Sequence, residues 1–270
     1  MQHDKINTPA ASDLYVDGVR LRYALEKRRE ELPTIVFLHE SFGCIRHWRS
    51  FPAKLGEATG CTTLVYDRQG YGESDPFGAE KRTADYLEKE ADVLAKLLDG
   101  LGLSDVVLFG HSDGGTIALL AAAKYPQKIR AVITEGAHVF VEEITLDGIR
   151  FAETLYRDSD LKKKLAYYHG DKTEEVFRRW ADTWLSPLYR DWNVEHLLPQ
   201  VACPTLVMQG NRDEYGTVRQ VESIAGNVSG AAHSFMPDAG HTPHREVPDE
   251  VIARVVEFLN DDVSLRLPRQ

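Results

Sequence analysis

The ten residues Val106-Val107-Leu108-Phe109-Gly110-His111-Ser112-Asp113-Gly114-Gly115 constrain this chain more than any other stretch. Four consecutive apolar residues predict a strand covered on both faces, because a half-solvated strand would alternate apolar with polar. From Asp113 the pattern turns helical and runs to Tyr125, where Pro126 closes it. Strand and helix are joined by G-x-S-x-G, at Gly110, Ser112 and Gly114. A turn this tight crowds neighbouring Cβ atoms, which accounts for the glycines two residues either side of the serine. It lifts Ser112 above the carboxyl edge of a sheet. It also sets a helix N-terminus, with free N–H groups and a positive dipole end, beside the serine oxygen. Ser112 is therefore a candidate nucleophile. A glycine-rich βα turn without chemistry is the plain alternative, and a phosphate loop is disfavoured because Gly-Lys-Ser/Thr is missing.

Such a strand needs neighbours, and the sequence supplies them. Val19 to Leu25, Thr34 to Leu38, Thr62 to Tyr66 and Ala131 to Thr134 are further strand candidates, and Thr205 to Gln209 and His233 to Met236 follow later. Helical stretches alternate with them. One runs from about Thr83 to Leu101, with Leu87, Ala91, Leu94, Leu98 and Leu101 on one stripe, Thr83 as N-cap and Gly102 as stop. Another runs from about Pro248 to Leu259. This rhythm predicts an α/β fold with a doubly wound, mainly parallel sheet. Between Phe140 and Pro199 the character changes to charged, helical and aromatic, with Trp180, Trp184 and Trp192 among the four tryptophans of the chain. That predicts a core domain of residues 1–139 and 200–270, with a helical cap, 140–199, inserted after the sixth strand.

Composition narrows the function classes. A length of 270 residues with 43% hydrophobic residues supports one full core. A net charge of -10 disfavours nucleic acid, whose phosphates require clustered Lys and Arg. No apolar run reaches the roughly 20 residues of a membrane helix. Met1-Gln2-His3-Asp4-Lys5 lacks the pattern of a signal peptide. Cys44, Cys61 and Cys203 are an odd number without metal-ligand spacing, and read as reduced thiols in a cytoplasmic protein. Neither a metal nor a cofactor is expected, and no feature specifies an oligomeric state.

Two further segments carry a resemblance. His39-Glu40-Ser41-Phe42-Gly43 follows a strand, and Tyr66-Asp67-Arg68-Gln69-Gly70-Tyr71-Gly72-Glu73-Ser74 follows the next. With the Ser112 turn, they resemble the α/β-hydrolase superfamily along nearly the whole chain: the first its His-Gly oxyanion loop, the second its Asp-x-Arg-Gly-x-Gly-x-Ser segment. The departures are Glu40 where glycine is usual and Gln69 in the arginine–glycine region.

The resemblance implies a serine–acid–histidine order along the chain. It assigns the base to His241, in Gly240-His241 before the last helix, and the acid to Asp213, in Gly210-Asn211-Arg212-Asp213-Glu214 after a strand. His244 is the alternative base, and Glu214 and Glu135 are alternative acids. His241 with His244 could also pair on a metal, but Pro243 between them argues against a shared helical face. The oxyanion would be held by the backbone N–H groups of Ser41 and Asp113. His39 and His111 are expected to be structural, and the Asp113 side chain has no evident purpose. Phe42, Trp48, His138, Phe140, Tyr215 and aromatics of the cap are candidate walls for a small, largely apolar substrate. The expected activity is carboxylic ester hydrolysis through an acyl-enzyme, falling on the acid side of a midpoint of about 6 to 7. C–C bond, lactone or thioester hydrolysis with the same triad are the alternatives, and a ligand-binding receptor on this fold is the rival of another class.

Overall fold

The computed structural model describes residues 10–265, so the Met1–Lys5 stretch lies outside the described residues. The sheet begins with a hairpin, β1 (Ala11–Val16) and β2 (Val19–Glu26), joined at Asp17-Gly18. Both turn residues have positive φ, 51° and 82°, as a two-residue hairpin with right-handed twist requires. Then come β3 (Ile35–Leu38), α1 (Phe51–Thr59), β4 (Thr63–Tyr66), α2 (Tyr86–Gly100), β5 (Val106–His111), α3 (Asp113–Lys124) and β6 (Ile129–Glu135). After an intervening helical segment follow β7 (Thr205–Met208), the helix Val218–Asn227, β8 (Ala232–Phe235) and two C-terminal helices.

The eight strands lie in the order β1-β2-β4-β3-β5-β6-β7-β8. Pairing is antiparallel at β1, β2 and β4, and parallel from β4 to β8. Alternate strand residues feed two cores. Val36, Leu38, Val106, Leu108 and Val132 pack with α2 and α3, whereas Ile35, Phe37, Val107, Phe109 and Ile133 pack with Leu55, Val255 and Phe258 on the other face. The doubly wound α/β architecture expected from the sequence is present. One helix start differs. Thr83 does not cap α2, because its hydroxyl is bonded to the Asp85 carboxylate and to Lys89, and the helix begins at Tyr86.

Between β6 and β7 lie α4 (Glu143–Asp158), α5 (Leu161–His169) and α6 (Thr173–Trp184), followed by short 3-10 turns. Val176, Phe177, Trp180, Ala181 and Trp184 form the buried stripe of α6. The 3-10 turn Glu195–Gln200 then packs on α3 and on α7 (Val218–Asn227). The last helices are α8 (Pro243–Glu246) and α9 (Pro248–Asp261), the latter packed on α1. Among the described residues no helix is long and apolar enough to cross a membrane.

Candidate active site

Ser112 sits between β5 and α3 with φ 54° and ψ -120°, a conformation that costs a non-glycine residue of order 1–3 kcal/mol. The surroundings hold it there. Its N–H donates to the Glu135 carbonyl at 2.8 Å, and its carbonyl accepts from Gly115 at 2.8 Å and Thr116 at 3.1 Å. A Cβ on Gly110 would overlap the Gly114 carbonyl, and one on Gly114 would overlap the Leu38 carbonyl. Glycine at both positions is therefore a steric necessity.

Asp213 and His241 meet across the carboxyl edge of the sheet. His241 Nδ1 lies 2.9 Å from both Asp213 oxygens, and Asp213 Oδ1 also accepts the Tyr215 N–H at 2.8 Å. A donor hydrogen on Nδ1 leaves the Nε2 lone pair free to take a proton. Burial favours the neutral carboxyl of Asp213, but the His241 charge and hydrogen bond outweigh it and hold the group below its ordinary value. Burial likewise opposes a charged His241, and Asp213 outweighs it, so the imidazole titrates above its ordinary value. Gly136, with φ +60°, lies close against the ring: a Cβ there would stand 2.9 Å from His241 Cε1 and 3.0 Å from Nδ1.

The alternatives considered for base and acid are placed elsewhere. His244 faces Glu135, with Nδ1 2.9 and 3.0 Å from its two oxygens, so the two histidines turn to different carboxylates. Glu214 accepts the His241 backbone N–H at 3.2 Å and does not reach the ring nitrogens by hydrogen bond.

The Glu40 departure is accommodated within the loop. Its carboxylate accepts the Phe42 N–H at 2.6 Å and pairs with His47 at 2.8 Å. Burial opposes this charge, but His47 and neighbouring imidazoles hold Glu40 ionised far below its usual range. The fully buried Arg68 donates to the carbonyls of His39 and Glu40 at 3.3 and 3.1 Å. The Asp67–Gly72 segment thereby braces the loop. His39 is buried and accepts the Arg68 N–H at 3.2 Å.

Ser112, His241, Ser41 and Asp113 line one cavity of about 180 Å³. Of the candidate walls, Phe42, His138 and Tyr215 line this cavity. Two of the expected wall residues do not. Trp48 is buried among Phe37, Phe51 and Phe109 on the opposite side of the sheet edge, where edge-on and stacked ring contacts hold it. Phe140 bridges to Asn193 through its backbone and lies under the Arg219 guanidinium, away from the cavity. Of the expected cap aromatics, Trp180 and Trp184 line the cavity, and Thr145 and Ile149 complete the wall. The residues not foreseen are Thr145 and Ile149, whose one signal was helical spacing, four residues apart on the buried stripe of α4. Asp113 accepts the Tyr86 hydroxyl at 3.2 Å, and Trp184 Nε1 donates to that same hydroxyl.

An eight-stranded mainly parallel sheet, a strained serine at a strand–helix turn and a buried carboxylate–imidazole pair define a hydrolase of the α/β class. Residues 35–254 match the model of the alpha/beta hydrolase family, and the chain belongs to it. It is 31% identical over 207 residues to the human (Homo sapiens) serine hydrolase BPHL, covering 73% of this chain and 69% of that protein. It is 29% identical over 258 residues to a Pseudomonas putida 2-hydroxy-6-oxononadienedioate/2-hydroxy-6-oxononatrienedioate hydrolase, covering 85% and 88%. The fold also superposes on the enol-lactonase from Burkholderia xenovorans LB400, with a TM-score of 0.72 at 21% identity, over 93% of this chain and 100% of that one.

Proposed function

We propose that this enzyme hydrolyses small carboxylic esters through an acyl-enzyme on Ser112, with His241 as base and Asp213 as the acid that orients it. The observation carrying this reading is that His241, bonded to the buried Asp213, lines the same cavity as Ser112. His241 Nε2 takes the hydroxyl proton as Ser112 Oγ attacks the acyl carbon. The oxyanion is held by the N–H groups of Ser41 and Asp113, and loss of one such donor costs about 3–4 kcal/mol. The imidazolium then protonates the leaving alkoxide, and water, deprotonated by the same nitrogen, releases the acid. Asp213 holds the tautomer and stabilises the imidazolium without taking the proton.

Helices α4 to α6 serve as a cap, with residues 140–199 as the inserted unit and Trp180, Trp184 and Ile149 closing the cavity over Ser112. The free thiols Cys44, Cys61 and Cys203 fit a reducing compartment such as the cytoplasm. Cavity charge narrows the substrate. Its lining includes the carboxylates Glu40, Asp113 and Glu214 and neither Lys nor Arg. Burial pushes His111 down to about 4 and lowers His138, so neither imidazole supplies a compensating charge at neutral pH. The cavity therefore favours neutral or cationic substrates over anionic ones.

The likeness to the P. putida hydrolase supports C–C bond hydrolysis as a second reading, because the same triad can serve it. That relative is named for a dicarboxylate, which this cavity, lacking Lys and Arg, is poorly built to receive. The test is a panel of p-nitrophenyl esters of increasing acyl length, in neutral, aminated and carboxylated forms, run beside a vinylogous diketone acid. Turnover of neutral and aminated esters, with the carboxylated ones at least about tenfold poorer in kcat/KM, is the expected result. Turnover of the diketone alone would replace ester hydrolysis by the second reading.

A further inference from the structure

Below the cavity lies a second carboxylate–imidazole pair that the proposed mechanism does not use. Glu135 ends β6, and His111 ends β5 directly across the ladder from it. The Glu135 side chain is fully buried. It accepts three contacts from His244: Nδ1 at 2.9 and 3.0 Å, and the backbone N–H at 2.9 Å. A buried pair of this kind is weak evidence for stability, since well-packed apolar residues often serve as well. Its placement carries more information. His244 stands in the first turn of α8, three residues after His241, and Pro243 between them stiffens the link. From the strand side, His111 Nε2 lies 2.8 Å from the His241 carbonyl, and the His111 ring stands 5.1 Å from the rings of both His241 and His244. The loop carrying the base is thus gripped at the carbonyl of residue 241 and at both the ring and the backbone of residue 244.

We propose that Glu135 and His244 are positioning residues: they anchor the His241 loop to the ends of β5 and β6, so that the imidazole is delivered to Ser112 at the right distance. This rests on His241 being the base. Asp213 fixes how the ring is turned, and Glu135 with His244 fixes where the ring is rooted. A misplacement of about 1 Å costs roughly 10²-fold in rate, so the loss should fall on kcat.

A scaffold role alone would lower stability and leave the chemistry intact, and two readouts separate the cases. The groups facing His241 are Asp213, Glu214 and Tyr215 from the loop after β7, His138 from the segment after β6, His111 from β5, and the Glu135 charge behind it. Facing Glu135 are His244 and His111. Glu135 contributes negative charge that helps His241 hold its proton. Its removal should move the acid limb of the kcat/KM profile to lower pH.

The experiment measures kcat, KM and the pH profile on a p-nitrophenyl ester for wild type, Glu135→Gln and His241→Ala, with thermal unfolding as the check on folding. Expected for Glu135→Gln is kcat lower by about 10- to 100-fold, KM within about twofold, and an acid limb at lower pH. A folded Glu135→Gln with wild-type kcat and limb overturns the positioning role. If it does not fold, the double variant Glu135→Leu/His244→Leu removes the carboxylate and the imidazole together. Loss of kcat in the folded double variant supports the proposal, and wild-type kcat overturns it. Activity retained by His241→Ala overturns the assignment of the base, and this proposal with it. Inactive His241→Ala beside wild-type kinetics in Glu135→Gln overturns the positioning role alone.

Discussion

Replacing Gly136 by alanine should damage activity and stability by separable amounts. Gly136 has φ +60°, where an L side chain costs about 1–2 kcal/mol. At about 2–4 °C per kcal/mol for a chain of this size, that lowers Tm by about 2–8 °C. The activity loss has a different origin. The added Cβ would stand 2.9 Å from His241 Cε1 and 3.0 Å from Nδ1, against an ordinary carbon contact of about 3.5–4.0 Å. The ring must therefore retreat by about 0.5–1 Å, against two 2.9 Å contacts to Asp213. Displacements of that order cost up to roughly 10²-fold, so kcat/KM should fall by about 10- to 100-fold, or about 1.4–2.7 kcal/mol of transition-state stabilisation. The assay is initial-rate hydrolysis of a p-nitrophenyl ester at a temperature well below the variant's own Tm. A variant with lowered Tm but kcat/KM within twofold of wild type would refute the argument, because the imidazole would then not need the space Gly136 leaves.

Other perturbations give equally direct outcomes. The kcat/KM profile should have its acid limb above about pH 6.5, because only neutral His241 accepts the serine proton and Asp213 raises its titration above that ordinary value. Asp213→Asn leaves burial to dominate, so the limb should move below that value as the plateau rate falls, and an unmoved limb would detach Asp213 from the base. Trp48→Ala should lower stability by about 3–5 kcal/mol, read in denaturant unfolding, with the order of preference among esters unchanged. Trp180→Ala should reorder acyl-length preference, since that indole lines the cavity. Glu40→Gln keeps an acceptor for the Phe42 N–H but loses the carboxylate charge beside His47, and should lower kcat by about tenfold through a looser oxyanion loop; no change in kcat would make the His47 pair incidental.

Much of the architecture can be read from local sequence because local forces decide it. The buried runs at Thr34–Leu38, Thr62–Tyr66 and Val106–Phe109 announce parallel strands, and Gly110 and Gly114 announce the turn through sterics alone. The first strand is less visible: Ala11–Val16 is an edge strand with exposed residues, so no apolar run marks it, although Asp17-Gly18 is a hairpin signal. At the site, Ser112, Asp213 and His241 are placed by chain order and loop position, and the structure brings the last two together. Trp48 shows where such reasoning stops. Whether an aromatic beside the oxyanion loop faces substrate or the core depends on which way a 3-10 turn carries it, and the turn Ile45–Trp48 carries it inward. The Glu135–His244 pair is invisible for a related reason. Its partners are 109 residues apart, and only the completed sheet edge brings them into contact.

Reaction of the intact protein with a fluorophosphonate, followed by mass spectrometry of its peptides, tests the central claim most directly. The account predicts one adduct per chain, on Ser112, formed by wild type, abolished in Ser112→Ala and strongly slowed in His241→Ala. A folded wild-type protein that stays unlabelled, or a Ser112→Ala variant that labels at the same rate, would contradict it.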